Sequence, residues 1–91
     1  MRATVITAVR NAEKEICATL KSVASQQDIE IEHIVIDGAS TDETLRNIDR
    51  FGRHVSMVVS EPDAGIYDAF NKGLARASGE FVGFLNAGDM D

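Results

Sequence analysis

The sequence predicts an α/β fold in which a parallel sheet of four strands is covered by helices on both faces. Four short runs rich in β-branched and apolar residues alternate along the chain with three segments of helical periodicity. The runs are almost continuously apolar, which is typical of parallel strands that are buried on both faces. The chain has 91 residues, so we expect residues 1–91 to form one small domain.

The first half of the chain provides two strands and two helices. Ala3–Val9 is apolar and β-branched and is predicted as the first strand. Residues 12–26 repeat their apolar side chains at helical spacing, which predicts the first helix. Ile31–Ile36 is the second predicted strand. Residues 40–43 have the S-x-x-E spacing of a capping box, so we expect a second helix to begin there and to end near Gly52.

The second half continues the alternation. Val55–Ser60 is predicted as a strand, and Glu61–Gly65 as a loop with turn-forming residues. Ile66–Ala77 has helical spacing, and Phe81–Leu85 is the fourth predicted strand. Right-handed crossovers and polar strand ends that must meet favour the strand order 3-2-1-4. Ligands of such sheets bind beyond the carboxyl ends of the strands.

Composition and charge exclude several classes of function. The formal net charge is −6 and the chain has no basic run, which argues against nucleic-acid binding. A single cysteine, Cys17, excludes an internal disulfide framework and a cysteine-based zinc site. No apolar stretch is long enough to span a bilayer, and no secretory h-region stands at the N-terminus. We therefore expect a cytoplasmic location and no stable membrane span.

Common catalytic and cofactor motifs are missing from the sequence. It contains neither G-x-G-x-x-G nor G-K-[ST], which argues against a dinucleotide oxidoreductase and a P-loop ATPase. No Ser-His-Asp or Cys-His arrangement suggests itself. His33 lies within a predicted strand and His54 just before one, so we interpret both as structural or surface residues. Cys17 is interpreted as a core residue on an apolar helix face.

Four segments carry the functional signal. They are Val5–Asn11, Ile34–Thr44 (IVIDGASTDET), Ser60–Gly73 (SEPDAGIYDAFNKG) and Phe84–Asp89 (FLNAGD). In this order and spacing they resemble the strand-end motifs of family 2 glycosyltransferases, in particular those that build cell-surface polysaccharides. The resemblance covers almost the whole chain.

The resemblance implies the Rossmann-like, three-layer half of a GT-A fold that binds a nucleotide-diphosphate sugar. The nucleotide-binding residues that it implies are Ala8, Arg10, Asp37, Glu61, Asp63 and Lys72. It also implies Mn²⁺ or Mg²⁺ at the fourth strand end, held by Asp89 and, with lower weight, by Asp91. A hard cation suits this reaction, since negative charge develops on the diphosphate leaving group. The general base is not among these residues.

The chain departs from the family pattern at three places. Arg10 stands where a tyrosine is common, and Gly38 stands where a second acidic residue is common. The D-x-D-D run of the family aligns with residues 86–89, of which only Asp89 is acidic.

Simpler interpretations exist for the candidate residues. Asp37 could only cap the turn that follows its strand, and residues 63–65 could be an ordinary turn. Asp68 and Lys72 have the i,i+4 spacing of a solvated ion pair. Tyr67 could be a partly buried packing residue.

Two further hypotheses concern the chain as a whole. It could be a non-catalytic module that binds a nucleotide or regulates a partner, or an unrelated Rossmann-like domain. Family catalytic domains continue past the metal site into an acceptor-binding half, so we expect the 91 residues alone to be inactive. We also expect Phe81–Leu85 to lack a partner strand on its outer edge and to drive homo-oligomer formation.

Overall fold

The structure, a computed structural model, describes residues 2–26 and 28–88. Its elements are β1 (Arg2–Arg10), α1 (Ile16–Ala24), β2 (Glu30–Asp37), α2 (Thr44–Phe51), β3 (Met57–Ser60), α3 (Ile66–Leu74) and β4 (Phe81–Gly88). The four strands form one parallel sheet in the order β3-β2-β1-β4. The predicted fold class and strand order are therefore confirmed, with a long crossover from β3 past β2 and β1 to β4.

Apolar clusters on both faces of the sheet hold the helices in place. Helices α1 and α2 cover one face, and the buried residues there are Val9, Ala12, Ile16, Leu20, Val35, Ile48 and Ala87. Helix α3 covers the other face, where the buried residues are Ile6, Ala8, Ile34, Ile36 and Ala69. Full burial of a Val, Leu or Ile side chain contributes about 1.5–3 kcal/mol to the free energy of unfolding. These two clusters hold the helices against the two faces of the sheet, which gives the three-layer arrangement.

Helix α3 approaches the sheet closely through a glycine. A Cβ atom added at Gly73 would lie well inside the van der Waals contact distance of Cγ2 of Ile6. The N-K-G sequence at residues 71–73 therefore has a packing reason in this fold, since any side chain at Gly73 would push α3 away from β1.

The ends of several elements differ from the predicted ones. The predicted capping box is wrong: α2 begins at Thr44 with Glu43 at its N-cap, and the N–H of Ser40 donates to the Asp37 carboxylate rather than to Glu43. Helix α1 begins at Ile16 because residues 12–15 form a turn, with the N–H of Glu15 bonded to the Ala12 carbonyl. Helix α3 ends at Leu74, strand β3 begins at Met57, and β4 extends to Gly88.

Both histidines agree with a structural or surface interpretation. His33 is buried, and its Nε2 shares a hydrogen bond of 2.7 Å with the hydroxyl of Thr7 on the neighbouring strand. Burial lowers the pKa of His33 to about 4. His54 is exposed.

Cys17 packs against the cluster beneath α1 and α2, as expected. Tyr67, in contrast, is 82% exposed, so the alternative interpretation of Tyr67 as a partly buried packing residue is wrong.

Strand β4 exposes apolar side chains on both faces. Phe81, Val82, Phe84 and Leu85 are between 38% and 58% exposed. Among the described residues β4 pairs only with β1, so its outer edge has the unpaired backbone that the sequence predicted. Phe84 is partly covered by Phe70 of α3, with a ring-centroid distance of 4.6 Å.

Candidate functional site

The carboxyl ends of the strands bring the predicted polar residues to one edge of the sheet. Asp37, at the end of β2, lies opposite Val9 of β1 and Ser60 of β3. The N–H of Gly38 donates to the Val9 carbonyl at 2.9 Å, so β1 and β2 stay paired until they separate. The loops that follow these two strands then run side by side along the edge.

Within the described part of the chain, two residues other than glycine adopt positive φ, and both lie at this edge. Asn11 has φ 48° and Ala39 has φ 58°. The left-handed conformation costs about 1–2 kcal/mol for a residue with a Cβ atom, and such outliers cluster at functional sites. The loops therefore turn sharply where the strands end, which is consistent with a binding edge.

Asp37 is a fully buried carboxylate that joins three chain segments. It accepts hydrogen bonds from the backbone N–H and the hydroxyl of Ser40, at 2.9 and 2.5 Å, and from the hydroxyl of Ser60 at 2.8 Å. The N–H of Glu61 donates to its main-chain carbonyl at 3.0 Å. Asp37 thus does cap the turn after β2, and the same bonds align the ends of β2 and β3.

A second set of hydrogen bonds ties the β1–α1 loop to the β2–α2 loop. The side-chain carbonyl of Asn11 accepts the N–H of Thr41 at 2.9 Å, and the Asn11 N–H donates to the Ser40 hydroxyl at 2.9 Å. The N–H of Ala12 donates to the hydroxyl of buried Thr44 at 2.8 Å. The two loops are therefore held together by hydrogen bonds in which each loop provides partners for polar groups of the other.

The β3–α3 loop is anchored by side chains of α3. The Lys72 ammonium lies 3.0 Å from the Pro62 carbonyl, 3.1 Å from Oε1 of Glu61 and 3.5 Å from Oδ2 of Asp68. Desolvation opposes the charged form of Lys72, but the hydrogen bond to Glu61 and the two carboxylate charges outweigh it, so its pKa is raised. The Lys72 ammonium therefore has protein oxygens as neighbours in this structure.

Asp63, in the same loop, has an unusual environment. One carboxylate oxygen, Oδ1, accepts the N–H of Gly65 at 3.1 Å. The other, Oδ2, is buried and has no hydrogen-bond partner among the described residues. A Cβ atom at Gly38 would lie 2.9 Å from Oδ2, so the glycine leaves the room that this oxygen uses. A buried carboxylate oxygen without a partner is costly, which suits a position that receives a donor from a ligand.

The other predicted site residues are placed as follows. The Ala8 methyl is fully buried beneath α3, and its backbone pairs with β2 and β4. Arg10 is exposed at the end of β1 and makes no ion pair with another described residue. Asp89 and Asp91 lie outside the described residues. Within residues 2–26 and 28–88 there is no group of three or more His, Cys, Asp or Glu side chains that could hold a metal ion.

Sequence reasoning missed several residues that organise this edge. Asn11 and Ser60 stand in the motif segments without a predicted role, and Ser40 is predicted only as the first residue of a helix cap. Their signal was present, since small polar residues directly after strands bond readily to nearby backbone. A cleft of about 200 Å³ lined by residues that include Leu20, His33 and Phe51 contains none of the predicted site residues.

Comparison with known proteins decides the family. The model of glycosyl transferase family 2 matches residues 4–89. The chain belongs to glycosyltransferase family 2. An uncharacterized glycosyltransferase of Mycobacterium tuberculosis is 44% identical over 72 residues, covering 78% of this chain and 28% of that protein. The putative teichuronic acid biosynthesis glycosyltransferase TuaG of Bacillus subtilis is 36% identical over 88 residues, covering 93% of this chain and 35% of that protein.

Solved structures of glycosyltransferases share the fold. A crystal structure of S. aureus TarS in complex with UDP has a TM-score of 0.79 at 32% identity, covering 96% of this chain and 27% of that one. Glucosyl-3-phosphoglycerate synthase from Mycobacterium tuberculosis, in complex with Mn²⁺, UDP and glucosyl-3-phosphoglycerate, has a TM-score of 0.79 at 28% identity, covering 94% of this chain and 33% of that one. The resemblance and the GT-A fold predicted from sequence are confirmed. The chain spans about a third or less of the length of these proteins.

Proposed function

We propose that this chain forms the donor-binding part of a glycosyltransferase that transfers a sugar from a nucleotide diphosphate during cell-surface polysaccharide synthesis. The observation that supports this most is the convergence of Arg10, Asp37 and Asp63 at the carboxyl edge of a parallel sheet, where ligands of such sheets bind. UDP is named in two of the similar structures, so a uridine nucleotide is the donor that we test first.

Each of the three residues has a distinct proposed contribution. The exposed guanidinium of Arg10 can pair with phosphate oxygens, which it matches in geometry and charge. The unpartnered Oδ2 of Asp63 can accept an N–H or O–H from the nucleoside. Asp37 holds the strand ends that carry these groups. Contacts from Ala8 and Glu61 to the nucleotide stay predictions. For Lys72, the predicted contact competes with a structural role, because its ammonium lies among protein oxygens.

A divalent cation remains part of the proposal. The carboxylates of the described residues do not supply a ligand set for it, since no suitable cluster is present there and Asp37 is already hydrogen-bonded. The ligands that we propose are Asp89 and Asp91, with phosphate oxygens of the donor. When bound, the cation would neutralise charge on the diphosphate leaving group. Homologous structures contain Mn²⁺, while the choice between Mn²⁺ and Mg²⁺ stays open to measurement.

Calorimetric titration of the chain tests this function. UDP should bind with a dissociation constant in the micromolar to low millimolar range, and Mn²⁺ should tighten it. Asp37→Ala should weaken binding with and without metal, whereas Asp89→Ala should remove only the increment due to metal. Equal losses with and without metal for Asp89→Ala would contradict its assignment. Absence of UDP binding by the unchanged chain, with and without Mn²⁺, would refute the donor-binding function.

Three finer proposals accompany this function. The 91 residues alone should bind donor without transferring sugar, because they span about a third or less of the relatives' length. Sugar transfer by the purified chain would refute that expectation. We also propose a homo-oligomer that covers the apolar edge of β4, and a cytoplasmic location. None of the three helices in residues 2–26 and 28–88 has the length and apolarity to cross a membrane.

A further inference from the structure

Lys72 connects helix α3 to the loop that precedes it. Its ammonium donates to the Pro62 carbonyl at 3.0 Å and pairs with Glu61 at 3.1 Å, both in the β3–α3 loop. Its side chain is only 20% exposed, against 50% for Glu61. A cation placed among three protein oxygens at this depth has few hydrogen-bond donors left for a ligand.

Asp68 provides the second connection between helix and loop. Its Oδ2 accepts the N–H of Ala64 at 2.9 Å and lies 3.5 Å from the Lys72 ammonium. The hydrogen bond from Ala64 lowers the pKa of Asp68, and the charge of Lys72 acts in the same direction. One carboxylate oxygen therefore joins the loop backbone to the cation, which makes the two connections a single network.

Asp63 stands between the anchored residues. Pro62 on one side is bonded to Lys72, and Ala64 on the other side is bonded to Asp68. The position of the Asp63 carboxylate against Gly38 thus depends on both anchors. Without these anchors, Oδ2 of Asp63 would move to a solvent-exposed position, where water could donate hydrogen bonds to it.

The geometry points to Lys72 and Asp68 as positioning residues that clamp the β3–α3 loop and hold Asp63 at the donor site. They act on donor affinity through the loop and without touching the donor. This inference rests on the proposed donor-binding function and adds the means by which the Asp63 carboxylate is held.

Three variants separate the clamp from a direct contact. Lys72→Met removes the ammonium while keeping a long side chain, and Lys72→Arg keeps a cation that can reach the same oxygens. Arg46→Met is the matched control, since Arg46 also pairs with a carboxylate, Glu43 at 3.3 Å, on the exposed surface of α2. Each chain is titrated with UDP and with uridine, and the amide resonances of Ala64 and Gly65 are recorded without ligand.

A clamp predicts the same loss for both ligands. Lys72→Met should weaken UDP and uridine equally, by about three- to tenfold, as expected from the loss of a partly exposed charge-assisted hydrogen bond. It should also shift the Ala64 and Gly65 amides in the free chain. Lys72→Arg should restore most of the affinity, and Arg46→Met should change neither quantity.

Other outcomes overturn the inference in distinguishable ways. A loss for UDP without a loss for uridine would assign Lys72 to the phosphates. If Lys72→Met changes neither the affinity for UDP and uridine nor the amide chemical shifts of Ala64 and Gly65, Lys72 does not position the β3–α3 loop. If the unchanged chain binds neither ligand, the proposed function itself fails, and the positioning role fails with it.

Discussion

The buried His33 predicts a specific loss of stability on acidification. Its pKa is about 4 in the folded chain, against an ordinary value of 6.5, because burial disfavours the imidazolium. Between these two pH values the unfolded chain binds a proton at His33 that the folded chain does not bind. The contribution of neutral His33 to the free energy of unfolding is therefore fully present above pH 6.5, and it is lost as the pH falls from 6.5 towards 4. The gap between the two pKa values corresponds to about 3 kcal/mol.

Denaturant unfolding from pH 7.5 to 4.5 measures this contribution. The unchanged chain should lose most of about 3 kcal/mol over this range, whereas His33→Gln, which cannot be protonated, should lack this component. His54→Gln is the control, since His54 is exposed and its removal should leave the pH dependence unchanged. Proton NMR of the His33 ring provides a second check. A ring that titrates with a midpoint near 6.5 in the folded chain, or equal pH slopes for His33→Gln and the unchanged chain, would refute the reasoning.

Three further predictions concern packing, the amino edge of the sheet and assembly. Gly73→Ala should destabilise the chain by about 1–3 kcal/mol through the clash with Ile6, whereas Gly83→Ala, with no atom within 4 Å of the added Cβ, should have no clash cost; urea unfolding compares them. Glu32 accepts hydrogen bonds from Thr4 and Ser78, chiefly the Ser78 N–H, which lower its pKa from 4.5. The ionised Glu32 carboxylate therefore contributes to the free energy of unfolding above pH 4.5, and this contribution is lost below pH 4.5. Glu32→Gln should unfold at a lower urea concentration at pH 7, and its stability should fall less on acidification. Sedimentation should find a dimer or larger, and a monomer at high micromolar concentration would contradict this.

The sheet could be predicted from sequence because each strand carries its own signal. The apolar runs around Ile6, Ile34 and Phe84 are short and β-branched or aromatic, and helical patterns separate them. Their right-handed crossovers leave few possible orders, of which the order in the structure is one. Long-range pairing thus followed from local periodicity and from the geometry of connections.

The details of the edge could not be predicted in the same way. The S-x-x-E spacing at residues 40–43 predicts a capping box, but the buried Asp37 carboxylate accepts both the N–H and the hydroxyl of Ser40, and α2 begins only at Thr44. Similarly, the i,i+4 spacing of Asp68 and Lys72 indicated a helix pair, whereas the loop backbone at Ala64 joins it. Such partners come from other segments of the chain, so local spacing does not reveal them.

Amide chemical-shift mapping with UDP tests the central claim most directly. If the carboxyl edge of the sheet is the donor site, the amides of Asn11, Gly38 and Ala64 should shift on titration and saturate together. The amides of Glu32 and Ser78, at the amino edge, should stay in place and serve as the internal control. Shifts confined to the amino edge, or no shifts at millimolar UDP with and without Mn²⁺, would contradict the assignment of this edge as a nucleotide-sugar site.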